Sequence, residues 1–256
     1  SEGIGMRLDR LNAMEQYVIE HGTASLEELA TVFHISTNTV RRDLIDLIER
    51  GTITKVYGGV TANGSVKPEP FAARAERLAH EKQLIGRLTA DLVEDGMSIF
   101  LDSGSTTACL LPYLADKQNV TVITHSLTAL YEAAKYPSLR VIALGGLYNG
   151  STASFVGAST LEALSHMAID LVCIAATGVS LEGGLSNTTF FEVEVKRAVT
   201  RRSERVVLMA DHSKFDHNAL LSFCRFEDLY AVATDRKPDA RYQNVIEQNG
   251  IRLLCP

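Results

Sequence analysis

The sequence predicts an α/β protein in two parts, a small helical unit followed by a larger one of alternating strands and helices. Three observations predict it. Apolar residues recur at helical spacing through the first fifty residues, short β-branched runs alternate with helical segments beyond Asp95-Gly96, and a polar stretch with two prolines, Thr61 to Pro70, lies between. A chain of 256 residues has room for two domains. Its 46% hydrophobic and 22% charged residues are ordinary globular composition and exclude a disordered chain. No apolar run reaches the roughly 18 residues needed to span a bilayer, so no membrane association is expected. The opening SEGIGMRLDR has no apolar core before a small-residue cleavage site, so no secretory signal is expected either.

The first helix is carried by Leu8, Leu11, Met14, Val18 and Ile19, and His21-Gly22 stops it. Ser25 stands three residues before Glu28 in a capping-box arrangement that opens a second helix from Leu26 to Phe33. After a short break at His34-Ile35, Ser36 is the next N-cap candidate. It opens a helix with Val40, Leu44, Leu47 and Ile48 on one face, which Gly51 closes. Three short helices with a tight link between the last two read as a helix-turn-helix. The β-prone run Thr52 to Val60, turning at Gly58-Gly59, makes it a winged one. We place this domain at residues 6–60, a linker at 61–76 and the second domain at 77–256, with one helix expected from about Phe71 to Val93.

In the second domain the strands read as Ser98–Asp102, Val120–Thr124, Arg140–Leu144, Leu171–Ala175, Arg205–Asp211, Ala231–Asp235 and Ile251–Cys255. Continuous apolar strands alternating with helices predict a parallel sheet covered on both faces, a Rossmann-like arrangement. The four cysteines are far apart with no Cys-x-x-Cys pair, which argues against a disulfide framework or zinc site and for a reducing cytosol.

With Val40 and Leu44 facing inward, the third helix turns Asn38, Arg41, Arg42 and Ile45 outward. The N-terminal part of such a helix enters the major groove of DNA, where arginine pairs with guanine and asparagine with adenine. Ser36, Thr37, Asn38, Thr39, Arg41 and Arg42 are therefore the candidate contacts, with Lys55 and Tyr57 of the wing gripping phosphates or the minor groove. One feature opposes this. Residues 1–60 hold six Lys/Arg against nine Asp/Glu, so DNA binding requires the arginines to be segregated on one face, and one copy would bind weakly. Dimerisation, presenting two half-sites, is the usual remedy.

Asp102-Ser-Gly-Ser-Thr-Thr107 ends the first strand of the sheet and opens a helix. Gly104 allows a close turn, and Ser105, Thr106 and Thr107 offer hydroxyls and amides at the positive end of a helix dipole, where an anion is favoured. Ligands of open α/β sheets bind at the carboxyl ends of the strands. Thr124-His125-Ser126, Gly145-Gly146 and Thr177-Gly178 end other strands on the same side. Asp211 and Lys214 follow a further strand, the lysine suited to a phosphate and the carboxylate to sugar hydroxyls. Glu192 and Lys196, four apart on a helix, have the spacing of a surface ion pair. Asp211, His212, Asp216 and His217 fit no zinc spacing, so neither a metal nor a cofactor is expected.

Ser36-x-x-Thr39-Val40-Arg41-Arg42-Asp43-Leu44 followed by Tyr57-Gly58-Gly59 resembles the DeoR/GlpR family of bacterial transcription regulators. The resemblance runs on through Glu81-Lys82, Asp102-Ser-Gly-Ser-Thr106, Gly145-Gly146, Glu192 with Lys196, and Asp211-His-Ser-Lys-Phe215, nearly the whole chain. It implies a cytoplasmic repressor of sugar-catabolism genes that binds double-stranded operator DNA as a homo-oligomer, dimer or tetramer. It also implies an effector domain similar in fold to sugar-phosphate isomerases and CoA-transferases, responding to a phosphorylated sugar or related metabolite. Glu192 and Lys196 are assigned to the effector pocket mainly on this resemblance, and Lys82 has no physical account from sequence. The alternative left open is an isomerase acting on a phosphorylated sugar, with Asp102, Glu192, Asp211 and Lys214 as acid/base candidates.

Overall fold

The computed structural model describes residues 2–21, 23–49, 52–56, 59–62 and 71–256. The chain divides into two compact units, residues 1–68 with 188–190 and residues 69–187 with 191–256. Tyr57, Gly58, Gly22 and Gly51, and most of the expected linker (63–70), lie outside the described residues. Thr61 and Ala62 at the linker's start belong to a strand, and Phe71–Glu76 at its end is helical.

The first unit packs helices α1 (Glu2–His21), α2 (Leu26–Val32) and α3 (Thr37–Glu49) with strands β1 (Thr23–Ser25), β2 (Ile53–Val56) and β3 (Gly59–Ala62). Met14, Val18, Leu29, Val40, Leu47 and Ile53 are its buried centre. Ser25 and Glu28 form the expected capping box at α2. His34, at a left-handed φ of 51°, makes the tight link to α3. Ser36 caps α3 by accepting from the Thr39 amide at 3.2 Å. The three strands form an antiparallel sheet in the order β1-β3-β2. Gly59, expected in the turn, instead lies in β3 opposite Ser25 and Val56, where an added Cβ would sit 2.1 Å from the Ala24 carbonyl oxygen. Close backbone approach, not the turn, requires glycine there.

The second unit begins with α4 (Phe71–Glu76) and α5 (Ala79–Ala90), two helices where one was expected, broken at Leu78 with φ 53°. Then follow β4 (Ser98–Leu101), a 3₁₀ helix (Thr107–Leu114), β5 (Thr121–Thr124), α6 (Leu127–Ala133), β6 (Arg140–Ala143), β7 (Leu147–Asn149), β8 (Ser154–Val156), α7 (Ala158–Ser165) and β9 (Leu171–Ile174). The remainder is β10 (Gly178–Ser180), β11 (Gly184–Asn187), α8 (Phe190–Thr200), β12 (Val206–Met209), β13 (Leu221–Cys224), β14 (Ala231–Ala233), α9 (Ala240–Gln248) and β15 (Arg252–Leu254). Seven strands make a parallel sheet in the order β15-β14-β12-β9-β4-β5-β6. All seven coincide with expected strands. Two small antiparallel sheets, β10-β11-β13 and β7-β8, were not read from sequence.

Alternate strand residues enter two cores. Phe100, Val172, Ile174, Leu208 and Val232 meet α7, α8 and α9, while Ile99, Leu101, Cys173, Val207 and Met209 meet α5, the 3₁₀ helix and α6. The order explains the division. From β4 the chain moves outward to β5 and β6, then returns to β9 and moves outward the other way. Right-handed crossovers in opposite directions put the helices on opposite faces. The loops therefore diverge between β4 and β9, opening the crevice where such sheets bind ligands.

Candidate functional site

A buried polar network fills that crevice. The Asp102 amide donates to the Cys173 carbonyl across the β4/β9 pair, and Asp102 Oδ2 accepts from the Ala175 amide at 3.0 Å. Lys196 from α8 forms an ion pair with the same carboxylate oxygen and donates to the Ala175 carbonyl at 2.9 Å. Asp102 and Lys196 are both buried. Gly104 is needed beside them, since a Cβ there would lie 2.4 Å from the Ala175 Cβ.

Glu192, one helical turn before Lys196, does not pair with it. Its Oε2 accepts from the Ser103 hydroxyl at 2.6 Å and lies 3.5 Å from His125 Nε2, while its Oε1 accepts from Ser154. The spacing that suggested a surface ion pair thus belongs to two buried side chains with partners elsewhere in the chain. Burial alone would raise the Glu192 pKa. The hydrogen bond and charge of His125, the Lys196 ammonium and the Ser103 hydroxyl outweigh it and hold the carboxyl well below the usual range. His125 stacks on Phe100, ring centroids 5.6 Å apart. Two buried atoms of the network, Asp102 Oδ1 and His125 Nδ1, have no hydrogen-bond partner among the described residues. Such atoms cost free energy unless a ligand or water meets them.

Asp102, His125 and Glu192 each bring one ligand atom within 4.8 Å of the others, close enough to hold a metal ion. Of these, Asp102 is already paired with the Lys196 ammonium.

Other expected residues are occupied locally. The Thr107 hydroxyl donates to the carbonyls of Asp102 and Gly104, both at 2.7 Å, and Thr124 donates to Leu101 at 2.6 Å. Ser126 caps α6. The helix after the Asp102 loop is 3₁₀ over its eight residues and contains Pro112, which has no amide for an α-helical bond. Gly145 and Gly146 follow the far strand β6; an added Cβ on Gly146 would lie 2.4 Å from Thr160 Oγ1, whose hydroxyl donates to the Gly145 carbonyl. Thr177 bonds Asn187, and Gly178 opens β10 against His217. Gly145, Gly146 and Thr177 are exposed, and Gly178 is buried.

At the other end of the crevice Asp211 is buried and accepts from the Ser213 amide at 2.9 Å, with Lys214 one turn on. Lys82 is drawn into the same region. Its buried ammonium donates to the last carbonyls of α4 and its break, Arg74 and Arg77, and burial pushes its pKa down against the opposing charge of Asp211. Ser105 also donates to the Arg74 carbonyl, at 3.4 Å. Cations at carbonyl-bearing helix ends are favoured, which gives Lys82 a physical role. Sequence reasoning missed Ser103, Ser154 and Ala175 as members of the network, and small residues in loops gave no distinguishing signal. His212 bonds Asp235 at 2.7 Å. An open groove of ≈ 660 Å³ bordered by Phe71, Gln83, Cys109, Leu127 and Tyr131 is separate, sharing Ser105 with the expected loop.

In the first unit Asn38, Arg41, Arg42, Ile45 and Lys55 are exposed, with Thr37 and Thr39 half-buried. Two of the three acids of α3 pair with arginines of α1. Asp43 is buried and accepts from Arg7 at 3.3 Å and Arg10 at 2.8 Å, and Arg7 pairs with Asp46 at 2.8 Å. Asp43 and Asp46 are thus turned toward α1, whereas Glu49 is exposed like Arg41 and Arg42.

Two family models match in this order, a DeoR-like helix-turn-helix domain over residues 10–66 and a DeoR C-terminal sensor domain over residues 77–236. The chain belongs to the DeoR family. As a member it is a DNA-binding transcriptional regulator with a C-terminal sensor domain. It is 37% identical over 248 residues to the HTH-type transcriptional regulator IolR of Bacillus subtilis, covering 97% of this chain and 99% of the relative. It is 30% identical to the glycerol-3-phosphate regulon repressor of Escherichia coli, covering 96% and 98%. Among solved structures, similarity extends to a D-ribose-5-phosphate isomerase in complex with phospho-erythronic acid, at 17% identity and TM-score 0.41 over 54% of each chain. It extends also to eIF2B beta of Chaetomium thermophilum, at 15% identity and TM-score 0.47 over 69% of this chain and 60% of that one. Among the described residues, no helix is long and apolar enough to cross a membrane.

Proposed function

We propose that this DeoR-family protein is a cytoplasmic bacterial repressor of a sugar-catabolism operon, released from or fixed to its operator by a phosphorylated sugar bound in the β4/β9 crevice. The observation that carries the proposal is the pair of unpartnered buried atoms, Asp102 Oδ1 and His125 Nδ1, set in a network of charged and hydroxyl groups. A polyhydroxylated ligand supplies donors and acceptors to both. Lys214 and the Ser105 hydroxyl at the other end suit a phosphate. Ser36, Thr37, Asn38, Thr39, Arg41, Arg42, Lys55 and Tyr57 would contact the operator. Residues 6–60 form the reading domain and 77–256 the sensor, with 61–76 joining them, and pairs of chains supply the two half-sites.

The ligand regulates only if it binds the DNA-competent and DNA-free forms unequally. We read the crevice as a binding site without turnover, because relatives that match nearly the whole chain are transcriptional regulators. The test is a thermal-shift screen against phosphorylated pentoses and hexoses, followed by operator binding with each stabilising compound. A ligand at 100 times its Kd stabilises the protein by about 2.7 kcal/mol. Operator affinity unchanged by every stabilising compound would defeat the reading, and an isomerised sugar recovered at stoichiometric protein would support the enzyme instead.

A further inference from the structure

We infer that the end of α4 occupies the phosphate position of the sensor, its Arg74 carbonyl standing where a phosphate oxygen would, so that a phosphorylated ligand binds by displacing this helix. The inference deepens the proposed function by naming how the crevice is regulated. It rests on that reading for the seating of a phosphate beside Ser105 and Lys214.

Two donors converge on one oxygen. The Arg74 carbonyl accepts from the Ser105 hydroxyl at 3.4 Å and from the Lys82 ammonium. The same ammonium donates to the Arg77 carbonyl at 2.6 Å. Ser105 lies in the loop that follows β4, and the charges of Asp211 and Lys214, which follow β12, act on buried Lys82. An oxygen met by a loop hydroxyl and a buried ammonium, at the carboxyl ends of two parallel strands, has the surroundings that a phosphate oxygen requires. Here that oxygen belongs to the chain itself.

Little else holds α4 in place. None of its six residues is buried, whereas α5, next in the chain, buries Lys82, Ile85, Gly86, Thr89 and Ala90. A helix so short is not stable by itself and depends on the contacts it makes. Phe71 and Ala75 of α4 border the open groove, which leaves the helix room to shift. Leu78, left-handed at φ 53°, separates it from α5 in a conformation that branched side chains disfavour, and provides a pivot that leaves α5 undisturbed. A phosphate pairs its charge with the Lys82 ammonium, which a neutral carbonyl cannot do, so it competes for both donors at an advantage. The first described element after β3 of the reading unit is α4, so its displacement reaches the segment that joins the two units.

Two measurements on the full chain test this, with inorganic phosphate as the probe and chloride at matched ionic strength as the control. The first is calorimetric titration of the wild type and of Ala75→Pro. Proline at 75 drives residue 74 out of helical backbone and so turns the Arg74 carbonyl away, while Ser105, Lys82 and Lys214 are unaltered. A competitor in place roughly nine-tenths of the time lowers apparent affinity about 10-fold, so Ala75→Pro should bind phosphate about 10-fold more tightly than wild type. General damage to the fold would weaken binding, so a gain reports the lost competitor. The second measurement needs no variant. Hydrogen exchange at the amides of Ala75, Glu76 and Arg77 in the wild type should quicken as phosphate saturates, while Ile85 to Thr89 of α5 stay unchanged. Bound phosphate that leaves α4 exchange as it was, or an Ala75→Pro protein with intact α5 protection that binds no more tightly than wild type, would overturn the inference and leave the crevice reading standing. Phosphate bound by neither protein would overturn both.

Discussion

The two functional regions hold their charges in opposite ways. On α3 the arginines stand in water, and Asp43 and Asp46 beside them pair with Arg7 and Arg10. In the crevice between β4 and β9 the carboxylates and the ammonium are buried, and each depends on a neighbour from a distant part of the chain. The exposed site is free to exchange water for phosphate at little structural cost. The buried site is already desolvated, so its groups are strongly coupled and fixed in place before a ligand arrives. Function and stability should therefore separate on α3 and coincide in the crevice.

The most severe break in that pattern is predicted for Lys196→Met. It strands Asp102, fully buried with an ionised partner removed, and breaking a buried pair from one side costs about 3–5 kcal/mol. Denaturant unfolding should show this loss in the second unit, together with lost sugar-phosphate stabilisation. Adding Asp102→Leu should recover much of the stability without restoring ligand binding. A Lys196→Met protein as stable as wild type would mean that Asp102 is not committed to this ion pair.

The seven sheet strands were legible because strands buried on both faces of a parallel sheet are continuous apolar runs. The hairpins β7–β8 and β10–β11 were not, since strands of three or four residues are too short to show a period. The phosphate-like loop was recognised, but sequence could not separate a hydroxyl that holds the loop from one that faces a ligand. Thr107, Thr124 and Ser126 have polar side chains spent on local backbone. Glu192 and Lys196 show the opposite limitation. Their four-residue spacing suggests a mutual pair, whereas burial directs them to Ser103, His125 and Asp102, some seventy to ninety residues away in the chain. On α3 the periodicity identified the outward face, yet the neutralisation of Asp43 by α1 is a long-range contact that no local pattern announces.

A smaller effect sharpens the buried side of the comparison. Because the folded pKa of Glu192 lies below its unfolded value, its contribution is fully present above about pH 4.3 and is lost as pH falls from there toward the folded value. Between pH 5 and 3 the wild type should therefore lose stability more steeply than Glu192→Gln. The difference in slope should approach one proton at the lower end of that range. Equal slopes would show that the carboxyl titrates as freely in the folded protein as in the unfolded chain.

The least effect on stability is expected where the effect on function is greatest. Arg41→Ala and Arg42→Ala remove exposed side chains, so unfolding free energy should change by no more than about 0.5 kcal/mol. If an arginine reads a base, its loss should cost about 1–3 kcal/mol of operator affinity and relax preference at one position. If it holds a phosphate, affinity should fall alike on all sequences and the salt slope should decrease by about 0.9. Sugar-phosphate stabilisation should survive either change, whereas Lys214→Ala should diminish it while leaving operator binding intact. Should the arginine and lysine variants damage both activities equally, the separation between an open reading face and a closed sensing crevice would fail, because neither site could then be altered without the other.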